Sequence, residues 1–167
     1  TYYTSFPNAQ IYSTFDWGIR DKDGYFFILG RPDDEINVAG HRLGTREIEE
    51  AISGHNAVAE CAVVGVAAQL KGQMPMAFAV LKDPSKAATP ESKAALEKEI
   101  MGVVDAALGA IARPARVHIV AQLPKTRSGK VLRRSIQALA EGRDPGDLTT
   151  LDDQAGIEQI RGAISGK

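Results

Sequence analysis

The sequence has little that is typical of secreted, membrane or nucleic-acid-binding proteins. Its single cysteine, Cys61, cannot form an internal disulfide, so the sequence favours a reducing compartment, and we expect the cytoplasm. No apolar run approaches the roughly 20 residues that a membrane-spanning helix needs. Lysine and arginine number 20 against 21 aspartate and glutamate, which argues against a general nucleic-acid binder. These absences leave an ordinary globular domain, with 44% hydrophobic residues to build its core.

Strand and helix patterns along the chain indicate an α+β fold. An Asp23-Gly24 turn predicts a hairpin near the start, and a change of composition at residues 31–34 predicts a domain boundary. We divide the chain into residues 1–32, residues 33–140 and a tail, residues 141–167. Beyond the boundary we predict a small, mostly antiparallel sheet covered by helices. Its strongest elements are strands at 58–67, 75–82 and 115–123, helices at 90–112 and 131–140, and a weak terminal helix.

The most unusual stretch is basic: residues 123–134, LPKTRSGKVLRR, hold five cations within ten residues. A Walker A loop is excluded, because Pro124 and Val131 stand where that motif needs a glycine and a serine or threonine. A solvated basic patch remains open, although the last two arginines begin a helix, where cations oppose the helix dipole. The other interpretation is a presentation loop. Pro124 stiffens it, Gly129 permits an unusual backbone, and Lys130 is presented to an anion beside a helix N-terminus.

Two long motifs carry a family resemblance. Residues 16–52, DWGIRDKDGYFFILGRPDDEINVAGHRLGTREIEEAI, and residues 123–134 together resemble the C-terminal part of the acyl-CoA synthetases, in the adenylate-forming superfamily. The resemblance extends over nearly the whole chain and is greatest to the members that activate propionate, followed by those that activate acetate. It implies that residues 33–140 are the mobile C-terminal lid domain, and that residues 1–32 are the terminal strands of a larger N-terminal adenylation domain.

The resemblance also implies a reaction in two halves. A carboxylate attacks the α-phosphate of ATP to give an acyl adenylate and pyrophosphate, and coenzyme A then displaces AMP. The implied small molecules are ATP, coenzyme A, Mg²⁺ and a short-chain acid, which is propionate or, as the alternative, acetate. Because the ATP loop and the acyl pocket belong to the N-terminal domain, we expect this chain alone to be inactive. Neither a nucleic acid nor a membrane is an expected partner.

The same resemblance implies roles for individual residues. Lys130 matches the lysine that stabilises the adenylation transition state, and Asp33 matches the hinge. A protein acetyltransferase and a sirtuin-type deacetylase are implied partners, because acetylation would remove the charge of Lys130. Residues matched to substrate contacts are Asp16, Arg31 and Arg42 for ATP or AMP, and Ala39 and Gly40 for coenzyme A.

The resemblance also implies a metal site. Ser53, His55 and Val58 match residues whose backbone carbonyls hold Mg²⁺ in related synthetases, and a helix C-terminus leaves carbonyls free for this. The histidines and Cys61 lack the spacing of a side-chain metal cluster. One alternative from another class stays open: a freestanding phosphate- or nucleic-acid-binding module that uses residues 125–134.

Overall fold

The computed structural model describes residues 11, 14, 16–30 and 34–166. The chain divides into two units, one that ends at Glu35 and one that begins at Ile36. The division into residues 1–32, 33–140 and 141–167 stays a prediction.

The first unit contains the predicted hairpin. Strands β1 (Trp17–Arg20) and β2 (Phe26–Gly30) pair antiparallel around a turn at Gly24, whose φ is +91°. The Asp21 carboxylate closes the turn by accepting hydrogen bonds at 2.9 Å from the N–H groups of Asp23 and Tyr25. The structure therefore confirms the hairpin at Asp23-Gly24.

From Glu35 onward the described chain forms five strands and four α-helices. In chain order these are β3 (Glu35–Val38), β4 (His41–Gly44), α1 (Thr45–Ser53), β5 (Val58–Ala68), β6 (Gly72–Leu81), a 3-10 helix (Pro84–Ala87), α2 (Pro90–Leu108), β7 (Arg116–Val120), α3 (Arg133–Ala140) and α4 (Ala155–Ser165). None of the described helices combines the length and the apolarity needed to cross a bilayer.

The five strands form one mixed, mostly antiparallel sheet. Its path is β4-β3-β6-β5, and β7 pairs in parallel with β6 from Met76↔Arg116 to Val80↔Val120. Strands β5 and β6 make the longest pairing, an antiparallel hairpin that runs from Val58↔Leu81 to Ala68↔Gly72. This α+β architecture confirms the predicted fold class.

Helices cover both faces of the sheet. The first face packs against α1 and α2, and the second face packs against α3 and α4. Along β5 and β6, neighbouring residues alternate between the faces: Val63 and Ala77 belong to the first core, and Ala62 and Phe78 belong to the second. Because both faces are buried, the strands appear in the sequence as nearly continuous apolar runs.

Helix α2 ends earlier than predicted. It starts at Pro90 with a capping box in which the side chains of Thr89 and Ser92 bond to each other's backbone N–H groups. It ends at Leu108 because Gly109 has a φ of +83°, so the predicted end at Ala112 is wrong. Leu108 is 37% exposed.

The residues that follow α3 pack into the second face. The predicted terminal helix is confirmed as α4, whose Ile157 and Ile160 are buried. Leu151, which lies before α4, is buried in the same core. The described part of the tail thus contributes to the hydrophobic core.

Candidate functional site

Lys130 lies in a tight hairpin formed by residues 124–132, here called the lysine loop. Thr126 bonds both backbone groups of Lys130: its N–H donates to the Lys130 carbonyl at 2.8 Å, and its Oγ1 accepts from the Lys130 N–H at 3.1 Å. Gly129 closes the turn by donating its N–H to the Thr126 carbonyl at 2.8 Å. Its φ is +82°, as the presentation-loop interpretation requires. A well-fixed backbone therefore carries an exposed lysine side chain.

The two ends of the lysine loop are anchored as well. Lys125 and Val131 form an antiparallel bridge, and the Leu132 N–H donates to the carbonyl of the buried Pro124 at 2.9 Å. The Lys125 ammonium contacts a carboxylate oxygen of Glu60 on β5 at 2.5 Å. These bonds hold the loop against one end of β5.

Arg133, the first residue of α3, pairs with a carboxylate on α1. Its Nε and Nη2 donate to Oε1 and Oε2 of Glu49 at 3.1 and 2.7 Å. Oε1 of Glu49 also accepts the N–H of Val63 on β5 at 2.9 Å. The pair with Glu49 explains why Arg133 stands at the start of α3, where a cation opposes the helix dipole. Sequence reasoning missed it, because nothing in the spacing of the two residues indicates that they meet.

The ion pairs bear on the alternative of a solvated basic patch. Among the five cations of residues 125–134, Lys125 and Arg133 form ion pairs with carboxylates on other elements, whereas the side chains of Arg127, Lys130 and Arg134 are exposed. A patch that only interacts with solvent does not need such pairs. The arrangement is that of a loop held in one position with an exposed lysine on it.

The predicted coenzyme A segment forms the turn between β3 and β4. Ala39 and Gly40 both have positive φ angles, +50° and +88°, as a two-residue hairpin turn requires. The Gly40 N–H donates to Oδ1 of Asn37 at 3.1 Å, and the Ala39 N–H donates to the Lys71 carbonyl at 2.8 Å. Both turn residues and Arg42 are exposed. A groove beside the turn is lined by Asn37, Ala39, Gly40, Lys71, Gly72 and Gln73.

These two regions lie at opposite ends of β5. The lysine loop contacts Glu60 near the start of the strand, and the Ala39-Gly40 turn bonds to Lys71 just beyond its end. The eight residue-to-residue steps from Glu60 to Ala68 span roughly 26 Å at about 3.3 Å per step. The structure therefore separates the predicted adenylation residue from the predicted coenzyme A residues.

The remaining predicted nucleotide and hinge residues lie in or near the first unit. Asp16 is exposed, and its N–H donates to Oγ1 of Thr14 at 3.2 Å. Arg31 and Asp33 lie outside the described residues. The roles of all three stay predictions.

The predicted Mg²⁺ ligands lie at and just beyond the end of α1. The His55 carbonyl already accepts the Val58 N–H at 3.0 Å. The His55 ring is 9% exposed; its Nδ1 accepts the Ala57 N–H at 3.2 Å and its Nε2 lies 3.2 Å from a Glu99 oxygen. Mg²⁺ takes about six oxygen ligands, so three carbonyls, one of them partly used, fit only part of a site. No group of three or more His, Cys, Asp or Glu side chains in the described chain could hold a metal ion.

Known proteins are similar to this chain in sequence and in fold. A propionate–CoA ligase of Salmonella typhimurium is 60% identical over 164 residues, which are 98% of this chain and 26% of that protein. An acetyl-coenzyme A synthetase of Pyrobaculum arsenaticum is 47% identical, over 98% of this chain and 23% of that protein. The crystal structure of ATP-bound MatB from Rhodopseudomonas palustris matches with a TM-score of 0.59 and 29% identity, over 75% of this chain and 24% of that chain.

The chain thus spans about a quarter of the length of the curated relatives that it matches. The model of the AMP-binding enzyme C-terminal domain family matches residues 47–130, from α1 to the lysine of the loop. That match covers half of the chain and includes Thr126, Gly129 and Lys130 of the lysine loop. The chain therefore belongs to the AMP-binding enzyme C-terminal domain family, which confirms the family predicted from its two motifs.

Proposed function

We propose that this chain is the C-terminal lid of a cytoplasmic, AMP-forming short-chain acyl-CoA ligase. The enzyme converts propionate, ATP and coenzyme A to propionyl-CoA, AMP and pyrophosphate through an acyl adenylate. The identity of 60% to a propionate–CoA ligase supports this, as does the match to residues 47–130. ATP binding and acyl binding belong to a larger N-terminal domain, so the chain by itself does not catalyse the reaction.

The observation that carries the proposal is the exposed lysine on a fixed loop. When a carboxylate oxygen attacks the α-phosphorus of ATP, negative charge gathers on the phosphoryl and carboxylate oxygens. The Lys130 ammonium stabilises that charge in the transition state. Because Thr126 bonds both backbone groups of Lys130, little reorganisation of the loop is needed when the charge develops. Pyrophosphate then leaves and the acyl adenylate remains.

The Ala39-Gly40 turn serves the second half-reaction, in which the thiol of coenzyme A attacks the acyl carbonyl and AMP leaves. Both N–H groups of the turn are bonded within the domain. The turn therefore offers its carbonyl oxygens and its nearly side-chain-free surface to the amide groups of coenzyme A. Arg42, Asp16 and Arg31 bind phosphate or ribose of the nucleotide, for which a guanidinium and a carboxylate are suited.

The lysine loop and the Ala39-Gly40 turn are separated by the length of β5. The lid must therefore change its pose between the two half-reactions. One reaction centre cannot meet both ends of a strand of roughly 26 Å at once. The lid therefore rotates at a hinge, for which Asp33 is the candidate. ATP carries Mg²⁺ into the first half-reaction, and the carbonyls of Ser53, His55 and Val58 are candidates for a separate, structural Mg²⁺.

Lys130 is also the control point of the enzyme. A protein acetyltransferase that acetylates its amine removes the charge on which adenylation depends, and a sirtuin-type deacetylase restores it. The exposed side chain at the tip of a hairpin is accessible to such enzymes.

The test is Lys130→Ala in the full-length enzyme, with the two half-reactions measured separately. Acyl-adenylate formation, followed by pyrophosphate exchange, should fall by at least about 100-fold, because one donor to a developing charge is lost. Thioester formation from supplied acyl adenylate should stay within about two-fold, since Lys130 is not at that reaction centre. Arg127→Ala is the matched control, because it removes another exposed cation of the same loop and should leave both half-reactions intact.

Equal loss in both half-reactions would contradict the role of Lys130. Acetate is the competing substrate, because the acetyl-coenzyme A synthetase is also similar to the chain. A larger kcat/KM for acetate than for propionate would change the assignment of the acid but not the chemistry. Salt-sensitive binding of oligonucleotides to the 167-residue chain would instead support the freestanding module.

A further inference from the structure

Residues 148–156, here called the strap, run alongside the lysine loop. They lie beyond the residues that match the family model. Two backbone hydrogen bonds form the antiparallel bridge Thr126↔Leu151 between strap and loop: the Arg127 N–H donates to the Thr150 carbonyl at 3.2 Å, and the Asp152 N–H donates to the Lys125 carbonyl at 2.9 Å. The loop segment around Thr126 is therefore the middle of three short extended segments.

The end of the strap makes a contact that only glycine permits. Gly156, in the first turn of α4, is buried against Pro124. A Cβ added at Gly156 would lie 2.7 Å from the Pro124 Cα and 2.8 Å from its nitrogen, closer than real Cβ atoms approach backbone. Any larger residue at this position must push the start of the lysine loop away.

The strap itself is well anchored. Leu151 and Ile157 are buried in the second core, so the strap cannot leave without exposing apolar side chains to water. Asp153 makes one bond within the strap and one to the residues before the lysine loop: Oδ1 accepts from the Ala155 N–H at 2.9 Å, and Oδ2 accepts from Nε2 of Gln122 at 3.2 Å. The lysine loop thus packs against a fixed support.

Thr126 transmits the position of this support to the lysine. Its neighbours Lys125 and Arg127 bond to the strap, and Thr126 itself bonds both backbone groups of Lys130. We propose that the strap, and Gly156 in particular, positions Lys130 for acyl adenylation. This inference rests on the proposed function, because it specifies what places the ammonium of Lys130 at the developing charge.

The test is Gly156→Ala in the full-length enzyme, with Gly162→Ala as the matched control. Gly162 lies in the same helix, and a Cβ there would meet nothing within 4 Å. Gly156→Ala should lower acyl-adenylate formation about 10- to 100-fold, since displacement of a catalytic group by about 1 Å has effects of that size. Thioester formation from supplied acyl adenylate should stay within about two-fold, and Gly162→Ala should change neither.

A double-mutant cycle separates positioning from a general loss of structure. If Gly156 acts through Lys130, Gly156→Ala should cause no further loss of adenylation in the Lys130→Ala background. Additive losses would overturn the proposal. So would normal adenylation by Gly156→Ala, or an equal fall in both half-reactions of a protein with an unchanged thermal midpoint.

Should Gly156→Ala fail to fold, Asp153→Ala is the second variant, because Asp153 is exposed and its loss only loosens the strap. It should lower adenylation selectively by about three- to ten-fold, a small displacement of the catalytic group, and an unchanged adenylation rate would overturn the proposal. The failures of the two proposals are distinguishable. If Lys130→Ala leaves adenylation intact, the proposed role of Lys130 fails and the strap proposal fails with it. If Lys130→Ala is selective but the strap variants are not, only the strap proposal fails.

Discussion

The two ends of β5 carry loops of opposite character. At one end, the lysine loop is bonded internally through Thr126, paired to Glu60 and backed by the strap. At the other end, the Ala39-Gly40 turn has two exposed residues, whose N–H groups bond to Lys71 and Asn37. The difference matches the proposed chemistry. A charge that develops on a few atoms needs a fixed cation, whereas a long flexible ligand can be held by an open turn.

The sharpest way to break this comparison is to block the open turn. Gly40→Leu puts a side chain where the Cβ would meet nothing within 4 Å, so the leucine projects over the surface proposed for coenzyme A. Thioester formation should fall about 10- to 100-fold, and acyl-adenylate formation should stay within about two-fold. This is the reverse of the pattern expected for Lys130→Ala, and rapid-quench assays of the two half-reactions would measure it.

Gly142→Leu is the control for backbone strain. Gly142 also has a positive φ, +69°, and its Cβ would also meet nothing within 4 Å, but it follows α3 and is not part of the turn. It should cost similar stability with no selective effect on thioester formation. If Gly40→Leu and Gly142→Leu gave the same kinetics, the turn would not contact coenzyme A.

The second prediction tests how firmly the lysine-loop end is held. Glu49→Ala leaves the Arg133 guanidinium and the Val63 N–H without the partner shown by the structure. The free energy of unfolding of the 167-residue chain should fall by about 1–3 kcal/mol, measured by urea denaturation. Glu50→Ala is the control, because the exposed Glu50 pairs with the exposed Arg46, and the change should stay within about 0.5 kcal/mol. Equal effects would mean that the partly buried Glu49–Arg133 pair adds nothing to stability.

Sequence reasoning predicted local features better than the contacts that hold the site. The hairpin at Asp23-Gly24 and the positive φ of Gly129 were predictable, because glycine and turn residues act through their own backbone. The apolar runs of β5 and β6 indicated strands because both faces of the sheet are buried. The end of α2 was predicted too late, because Gly109 lies within an otherwise apolar, helix-like pattern.

The contacts that position Lys130 were not predictable, because they join residues far apart in the chain. Glu49 and Arg133 are separated by 84 residues. The sequence assigns the strap to a tail, because the strap lacks any helix or strand periodicity of its own. Gly156 resembles an ordinary helix glycine until the position of Pro124 is known. Such features depend on tertiary packing, which one sequence does not encode in a local pattern.

The third prediction concerns the middle of the sheet, between the two ends. His118 stacks on Phe78 with ring centroids 5.2 Å apart and is 6% exposed. Burial lowers its pKa from 6.5 to about 4, and the nearby charges of Arg116 and Lys93 add to the effect. Below pH 6.5 the unfolded chain therefore binds a proton that the folded chain does not bind, so stability falls as the pH drops from about 6.5 to about 4.

We expect this loss to be about 1–2 kcal/mol after partial solvent screening. His118→Gln should flatten the pH dependence in this range, whereas His41→Gln, at an exposed position, should not. Urea denaturation of the 167-residue chain at pH 7, 6 and 5 would measure it. A pH dependence that survives in His118→Gln would have to come from another group.

The smallest effect is expected from the open turn itself, where Ala39 has a φ of +50°. An L residue in the left-handed region costs about 1–2 kcal/mol, and glycine loses about 0.5–1 kcal/mol in backbone entropy, so Ala39→Gly should stabilise the chain by up to about 1 kcal/mol. Ala94→Gly, at an exposed position inside α2, should destabilise it by about 1 kcal/mol. Suppose that Ala39→Gly raises the free energy of unfolding measured by urea denaturation, that Ala94→Gly lowers it, and that Ala39→Gly leaves thioester formation unchanged. The turn at this end of β5 would then depend on its backbone alone. Equal destabilisation by both variants would instead mean that the Ala39 methyl group makes a needed contact, and the turn would then be less open than the comparison requires.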